Sequence, residues 1–389
     1  MPEMDEATTR RTALVWHLVH TGVLRDVRVR GAMLAVPRHL FLPGESLARA
    51  YADDAVATKR TADGVAISSA SQPAMVALML EQLAVQPGMR VLEIGAGTGY
   101  NAALLRALVG DAGRVTTVDI DADITDGVKR HLEAAGVTGV RIVTADGASG
   151  HAPDAPYDRV ILTVGAGDIA PAWVEHLTPN GLLVLPLRIG AGQFAVAFAR
   201  EGNQLRSRSV LPCGFMPLRG AMDDRERVYT AANLRLTAPA GVMLDMESVA
   251  ALLRTPPERR TLAVATGWQG LNALALAGQG LVSASSGDAR YGFEGSGYGY
   301  FAPDGTSACI LAASEQRRGS FDTALVYGTA ATADRLDAAL AAWREAGAPE
   351  PEAFTIIAAP LDAPAPQDAA TVTLTHWRLF VAPTASQAP

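Results

Sequence analysis

Between residues 89 and 187 short apolar runs alternate with amphipathic stretches of helix length, and that alternation leaves few architectures open. "MRVLEIGAG", "GRVTTVDID", "VRIVTADG", "YDRVILTVGA" and "LLVLPL" read as buried strands. "YNAALLRALVG", "ITDGVKRHLEAAGV" and "PAWVEHLTPNG" read as helices between them. Strands joined through single crossovers bury both faces only in a parallel sheet covered on each side. The segment therefore predicts an α/β, doubly wound sheet.

The flanks read differently. Residues 9–35 carry apolar positions at helical spacing and predict two short helices. The prolines of "VPRHLFLP", at 36–43, predict an extended turn, and 44–65 reads as irregular and polar. A helix is expected from about Pro73 to Val85, with Met75, Val76, Met79, Leu80 and Leu83 on its apolar face. After about residue 220 strand-like runs outnumber helices, "APDG" signals a hairpin, and "ATADRLDAALAAWREAG" is one clear amphipathic helix. We expect one domain over 1–220 and an α+β domain with a mostly antiparallel sheet over 221–389, ending in a frayed tail, "APTASQAP".

The turn in "VLEIGAGTGY", residues 91–100, carries the first chemical signal. Gly95, Gly97 and Gly99 fall between a strand and a helix, where they allow a tight turn and close approach of a ligand to the backbone. Glu93 lies two residues before the first glycine, Asp119 ends the next strand, and Asp146 ends the third. Asp119 can accept both hydroxyls of a ribose, and Asp146 can meet an adenine amine. A pyrophosphate would want the helix N-terminus free of acidic neighbours, which Glu93 opposes. The set suits a nucleoside bearing a cationic sulfonium, S-adenosylmethionine. The plainer alternative is that Asp119 and Asp146 are polar residues at strand ends.

"AISSASQPAM", residues 66–75, puts serines just ahead of the helix at Pro73. Serine at an N-cap with proline just inside is ordinary capping chemistry, and a hydroxyl touching a substrate is the competing reading. Net charge is −7, and no basic run with interleaved aromatics occurs, which argues against nucleic-acid binding. The two cysteines, Cys213 and Cys309, show neither disulfide-framework nor metal-ligand spacing. No apolar run approaches the ~18 residues of a membrane span, and no signal peptide is visible, so a cytoplasmic location is expected.

Residues of about 10–220 resemble the protein-L-isoaspartate O-methyltransferases. The matching pieces, in order, are "AVPRHLFLP", "AYADDAV", "ISSASQPAMVALMLEQL", "VQPGMRVLEIGAGTGYNAALLRALVG", "TADGASGHAPDAPYDRVILTVGAGDIAPAWVEHLTPNGLLVLPL" and "GFMPL". The resemblance implies a class I, Rossmann-like S-adenosylmethionine-dependent fold and a peptide or protein substrate containing aspartate or isoaspartate. It implies that Ser71 is the active-site serine contacting the substrate carboxylate. It further implies that Gly95, Gly97, Thr98, Asp119, Asp146 and Gly147 line the cofactor site, to which Glu93 and Gly99 belong by their place in the motif. Ser68, Ser69 and Gln72 flank Ser71 and are assigned to the substrate. A carboxylate is already a nucleophile, so alignment rather than a strong base is required, and His39 and His131 are read as structural or surface residues.

Two features depart from that pattern. The chain continues well past residue 220, and "ISSASQP" is longer than the usual approach to the serine. Longer relatives of this type accompany biosynthesis of ribosomally made, modified peptides such as lanthipeptides, lasso peptides and graspetides. The resemblance then implies methylation of an aspartate in a modified precursor peptide, followed by closure to an aspartimide. General isoaspartyl repair is the alternative, and a non-catalytic peptide-binding scaffold is the second. The aromatics of "RYGFEGSGYGYFAPDG" either line a peptide surface or fill a hairpin core.

Overall fold

Carboxylate caps start the first two helices: Asp5 and Asp26 accept from first-turn backbone N–H groups of α1 (Glu6–His20) and α2 (Val27–Ala35). The computed structural model describes residues 5–62, 64, 66–222, 227–231, 233–239, 242–278, 280–312 and 320–384. The expected frayed tail lies outside the described residues from 385 onward. "VPRHLFLP" is not extended throughout, because Arg38–Phe41 form a 3-10 turn after Pro37. Each proline restrains itself and its predecessor, and the four residues between them are left free to coil. The stretch read as irregular holds α3 (Leu47–Ala50) and β1 (Val56–Arg60). β1 pairs antiparallel with β2 (Ala66–Ala70), so the first half of "AISSASQPAM" is a strand. α4 (Pro73–Leu83) follows directly.

The alternating segment folds as β3 (Arg90–Ile94), α5 (Tyr100–Val109), β4 (Arg114–Asp119), α6 (Ala122–Ala134), β5 (Val140–Thr144), β6 (Tyr157–Leu162), α7 (Pro171–Glu175) and β7 (Leu177–Ile189). β8 (Gly192–Glu201) and β9 (Gln204–Pro212) continue it. The strand order is β9-β8-β7-β6-β3-β4-β5, and β5, β4, β3, β6 and β7 pair in parallel. The chain reverses its winding between β3 and β6, which leaves a crevice beyond their carboxyl ends, the usual place for a ligand in such sheets. The helix expected through "PAWVEHLTPNG" stops at Glu175, because Pro179 cannot continue it and residues 177–181 enter β7.

The chain forms two compact units. The first takes the described residues of Met1–Pro186, Ala195–Ser209 and Cys213–Asp224. The second takes Leu187–Phe194, Val210–Pro212 and the described residues of Arg225–Pro389. Its elements are β10 (Arg227–Ala231), β11 (Leu234–Ala238), α8 (Met246–Leu253), β12 (Glu258–Gly267), α9 (Trp268–Leu276), β13 (Val282–Ser286), β14 (Gly295–Phe301), β15 (Ser307–Ala312), β16 (Ser320–Gly328), α10 (Ala331–Glu345), β17 (Phe354–Ala359), β18 (Ala370–Thr373) and β19 (Arg378–Pro383).

Seven of these strands form an antiparallel sheet in the order β10-β11-β13-β14-β15-β16-β12. Alternate residues feed two cores. Phe301, Ile310, Leu325 and Tyr327 pack with α8 residues Val249 and Leu253, while Tyr300, Cys309 and Leu311 pack with Leu271, Leu274, Leu336 and Leu340 of α9 and α10. The aromatics Tyr291, Tyr300 and Phe301 are therefore core residues, not a peptide surface. Among the described residues no helix is long and apolar enough to cross a membrane.

Candidate active site

The glycine-rich turn leaves β3 at the reversal point of the sheet. Gly95 has φ +95°, and a Cβ there would come within 2.8 Å of Thr163 Oγ1 and Val164 Cγ1. Glycine is thus required both by conformation and by space. Gly97 has φ +53°, and its Cβ position lies 3.4 Å from the Ser69 carbonyl oxygen, so this turn and the β2 strand meet there. Gly99 is the N-cap of α5, packed against Val128. The Thr98 carbonyl accepts from His131 Nδ1 at 2.9 Å, which places the proton on that nitrogen and makes His131 a brace for the turn.

The three acidic residues meet different fates. Glu93 is fully buried, accepting from Thr117 Oγ1 at 2.6 Å and Asn101 Nδ2 at 2.8 Å. Burial pushes its carboxyl up to about 7 despite those bonds. Asp119 accepts from the Gly97 N–H at 3.1 Å and the Asp121 N–H at 3.3 Å. Burial likewise raises it, and the two backbone bonds oppose the rise. Asp146 accepts from the N–H groups of Ala148, at 2.9 Å, and Ala221, at 2.7 Å. Its carboxylate holds backbone and does not line the cavity; its neighbour Gly147 does.

Ser71 is not the cap of α4. The N-cap position belongs to Gln72, which makes no side-chain capping bond. The helix is capped from elsewhere: Asp53 Oδ1 accepts from the Ala74 N–H at 2.8 Å, and its Oδ2 accepts from Gln72 Nε2 at 3.1 Å. The backbone of Ser71 is held in turn by Arg38, whose Nη2 donates to the Ser71 carbonyl at 3.0 Å. Arg38 is 1% exposed, also donates from Nε to the Ala50 carbonyl at 3.0 Å, and lies over the Tyr100 ring at 5.0 Å.

A cavity of about 350 Å³ joins these parts. Ser68, Ser69, Ser71, Gln72, Glu93, Gly95, Gly97, Thr98, Asp119 and Gly147 all line it, while Gly99 and Asp146 do not. Arg38 and the segment Gly214–Arg219 also contribute. Arg219 reaches across to Asp121, Nη2 to Oδ2 at 2.9 Å, and Lys59 donates to the same carboxylate at 2.8 Å. Sequence reasoning missed Arg38, which lines the cavity, and Asp53, which caps α4 next to Ser71. Both sit in stretches the resemblance had marked, "AYADDAV" and "AVPRHLFLP", yet nothing local distinguishes either.

The donor set fits S-adenosylmethionine, which is the cofactor. Asp119 holds the turn by single backbone bonds and keeps lone pairs for a ribose, and carboxylates beside the turn suit a sulfonium better than a pyrophosphate.

Residues 9–223 match the family model described as protein-L-isoaspartate(D-aspartate) O-methyltransferase. The chain is 39% identical to the protein-L-isoaspartate O-methyltransferase of Methanopyrus kandleri over 223 residues, covering 57% of this chain and 96% of that one. It is 38% identical to the enzyme of that name from Hyperthermus butylicus over 226 residues, covering 56% of this chain and 91% of that one. A solved protein-L-isoaspartate O-methyltransferase superposes with a TM-score of 0.52 at 25% identity, covering 89% of this chain and 96% of that one. With the match spanning the turn, the serine strand and the closing segment, the chain belongs to the protein-L-isoaspartate(D-aspartate) O-methyltransferase family.

Proposed function

We propose that this methyltransferase esterifies the side-chain carboxylate of an isoaspartyl or aspartyl residue in a peptide or protein. The observation that carries the reading is a single cavity lined by both the Gly95–Thr98 turn and Ser71. When bound, S-adenosylmethionine supplies a methyl group on a cationic sulfur. The substrate carboxylate oxygen would take that methyl group, the electron pair of the carbon–sulfur bond staying with sulfur. No proton has to move, so the chain's task is alignment. Ser71 holds the carboxylate with its hydroxyl, Ser68, Ser69 and Gln72 shape the substrate wall, and Asp119 anchors the ribose. Gly95 and Gly97 let the cofactor approach the backbone, and Glu93 stiffens the strand below. The ester is an activated acyl group, and attack by the next backbone nitrogen expels methanol and closes a succinimide.

For the substrate, general isoaspartyl repair is favoured by the solved relative that covers most of this chain, second unit included. A precursor-peptide role, with the domain over 221–389 reading a constrained peptide, is supported by the difference in length from the curated relatives. Paired peptides differing only in aspartate or isoaspartate separate the two. Repair gives methyl transfer to the isoaspartyl form alone, and tailoring gives methyl gain then methanol loss on the aspartyl form. Mass spectra showing no methyl gain on either peptide overturn the carboxyl methylation reading.

A further inference from the structure

We propose that Arg38 is the carboxylate anchor of this cavity, its Nη1 donating to a ligand carboxylate beside Ser71; the inference rests on the methyltransferase reading above. The guanidinium is buried, and two of its nitrogens are committed, Nε to the Ala50 carbonyl and Nη2 to the Ser71 carbonyl. Nη1 has no hydrogen-bond partner although it is buried. Burial draws the guanidinium's affinity for its proton down, while Tyr100, Asp53 and Tyr51 oppose the fall. Asp53 is the carboxylate among them, and its oxygens accept from the Ala74 N–H and from Gln72 Nε2, while the Arg38 nitrogens that are bonded donate to carbonyls. A buried cation that meets only carbonyl oxygens and a ring face is costly, and an incoming anion is what compensates it. Arg38 lines the same cavity as Ser71 and the glycine turn, which puts its guanidinium at the wall where a ligand carboxylate would sit. An arginine fork with one committed and one free Nη fixes a carboxylate's direction, which in-line methyl transfer needs.

Two carboxylates enter such a site: the side chain of the substrate and the amino-acid end of the cofactor. Arg38→Met and Arg38→Lys separate them, with folding checked by circular dichroism and melting. Three quantities are read: KM and kcat for an isoaspartyl peptide, affinity for S-adenosylhomocysteine, and affinity for 5′-methylthioadenosine, which lacks the amino-acid carboxylate. If the substrate is anchored, Arg38→Met raises KM by about tenfold or more, the worth of one charge-assisted hydrogen bond, and leaves both nucleoside affinities unchanged. If the cofactor is anchored, S-adenosylhomocysteine weakens by about tenfold or more while 5′-methylthioadenosine does not. Arg38→Lys keeps the charge and loses the fork, so it shifts the same quantity by less.

A folded Arg38→Met protein with peptide KM and S-adenosylhomocysteine affinity both within about twofold of wild type overturns the proposal. Should Arg38→Met not fold, Arg38→Lys and wild-type protein carrying 15N-arginine decide. A side-chain arginine signal absent from Arg38→Lys shifts when the carboxylate ligand is added, and an unmoved signal overturns the anchor. Wild type that binds S-adenosylhomocysteine yet methylates neither peptide disproves the function reading alone, and the comparison of the two nucleosides still tests Arg38.

Discussion

The Asp53 carboxylate caps the helix after Ser71 by accepting from the Ala74 N–H at 2.8 Å, across a separation of 21 residues. Capping of α4 therefore does not fall to the Ser71 hydroxyl, and the two residues are expected to respond differently to mutation.

Asp53→Ala removes the cap of α4 and also leaves Gln72 Nε2 without its carboxylate partner. We expect a loss of about 1 kcal/mol of stability, the usual cost of an N-cap. Ser71→Ala, by contrast, changes stability by less than about 0.5 kcal/mol. Urea denaturation of both variants checks the pair, and equal losses would return the capping role to Ser71.

Turnover reverses that ranking. Ser71→Ala loses about tenfold or more in kcat/KM for an isoaspartyl peptide, because an aligning hydrogen bond to the reacting carboxylate is gone. S-adenosylhomocysteine affinity, measured by calorimetry, stays within a few fold. Near wild-type turnover in the folded variant would falsify the role assigned to Ser71.

Gly95→Ala forces a side chain into a left-handed backbone and against Thr163 and Val164. The expected cost is about 1–3 kcal/mol. The diagnostic reading is thermal melting with and without S-adenosylhomocysteine. Ligand raises the wild-type melting temperature and leaves the variant's almost unchanged.

Glu93 ties stability to pH. Its folded-state value of about 7 exceeds the model-peptide value of 4.5, so the folded protein holds this proton more tightly than the unfolded chain. Its contribution is full below about 4.5, falls as pH rises through about 7, and is level above that. Glu93→Gln keeps partners for Thr117 and Asn101, since the amide can donate to the hydroxyl and accept from Asn101. Between pH 4.5 and 8 the wild type should lose about 2–3 kcal/mol that the variant does not, read by urea denaturation. A parallel decline in both proteins assigns the effect to other groups.

Much of the first unit was legible in the sequence because its signals are local. Strand-then-helix alternation, the three glycines and the strand-end Asp119 each occupy a few consecutive residues, and the parallel sheet follows from burying both faces. The second unit's antiparallel character was legible from runs separated by turn residues.

What sequence could not decide depended on partners far along the chain. Whether "AISSA" was loop or strand depended on β1, whose alternation is too weak to stand without its mate. Asp146 looked free to meet an adenine, and the tertiary structure turned it to the N–H of Ala221, 75 residues on. Asp53 and Arg38 read as ordinary charged residues until folding brought them to Ala74 and Ser71. By itself the sequence determined the sheet class and the glycine turn after β3, since backbone sterics and hydrophobic periodicity act between neighbours. Only the tertiary structure decided which polar groups are satisfied and which are left to bind, because hydrogen-bond partners are assigned in space.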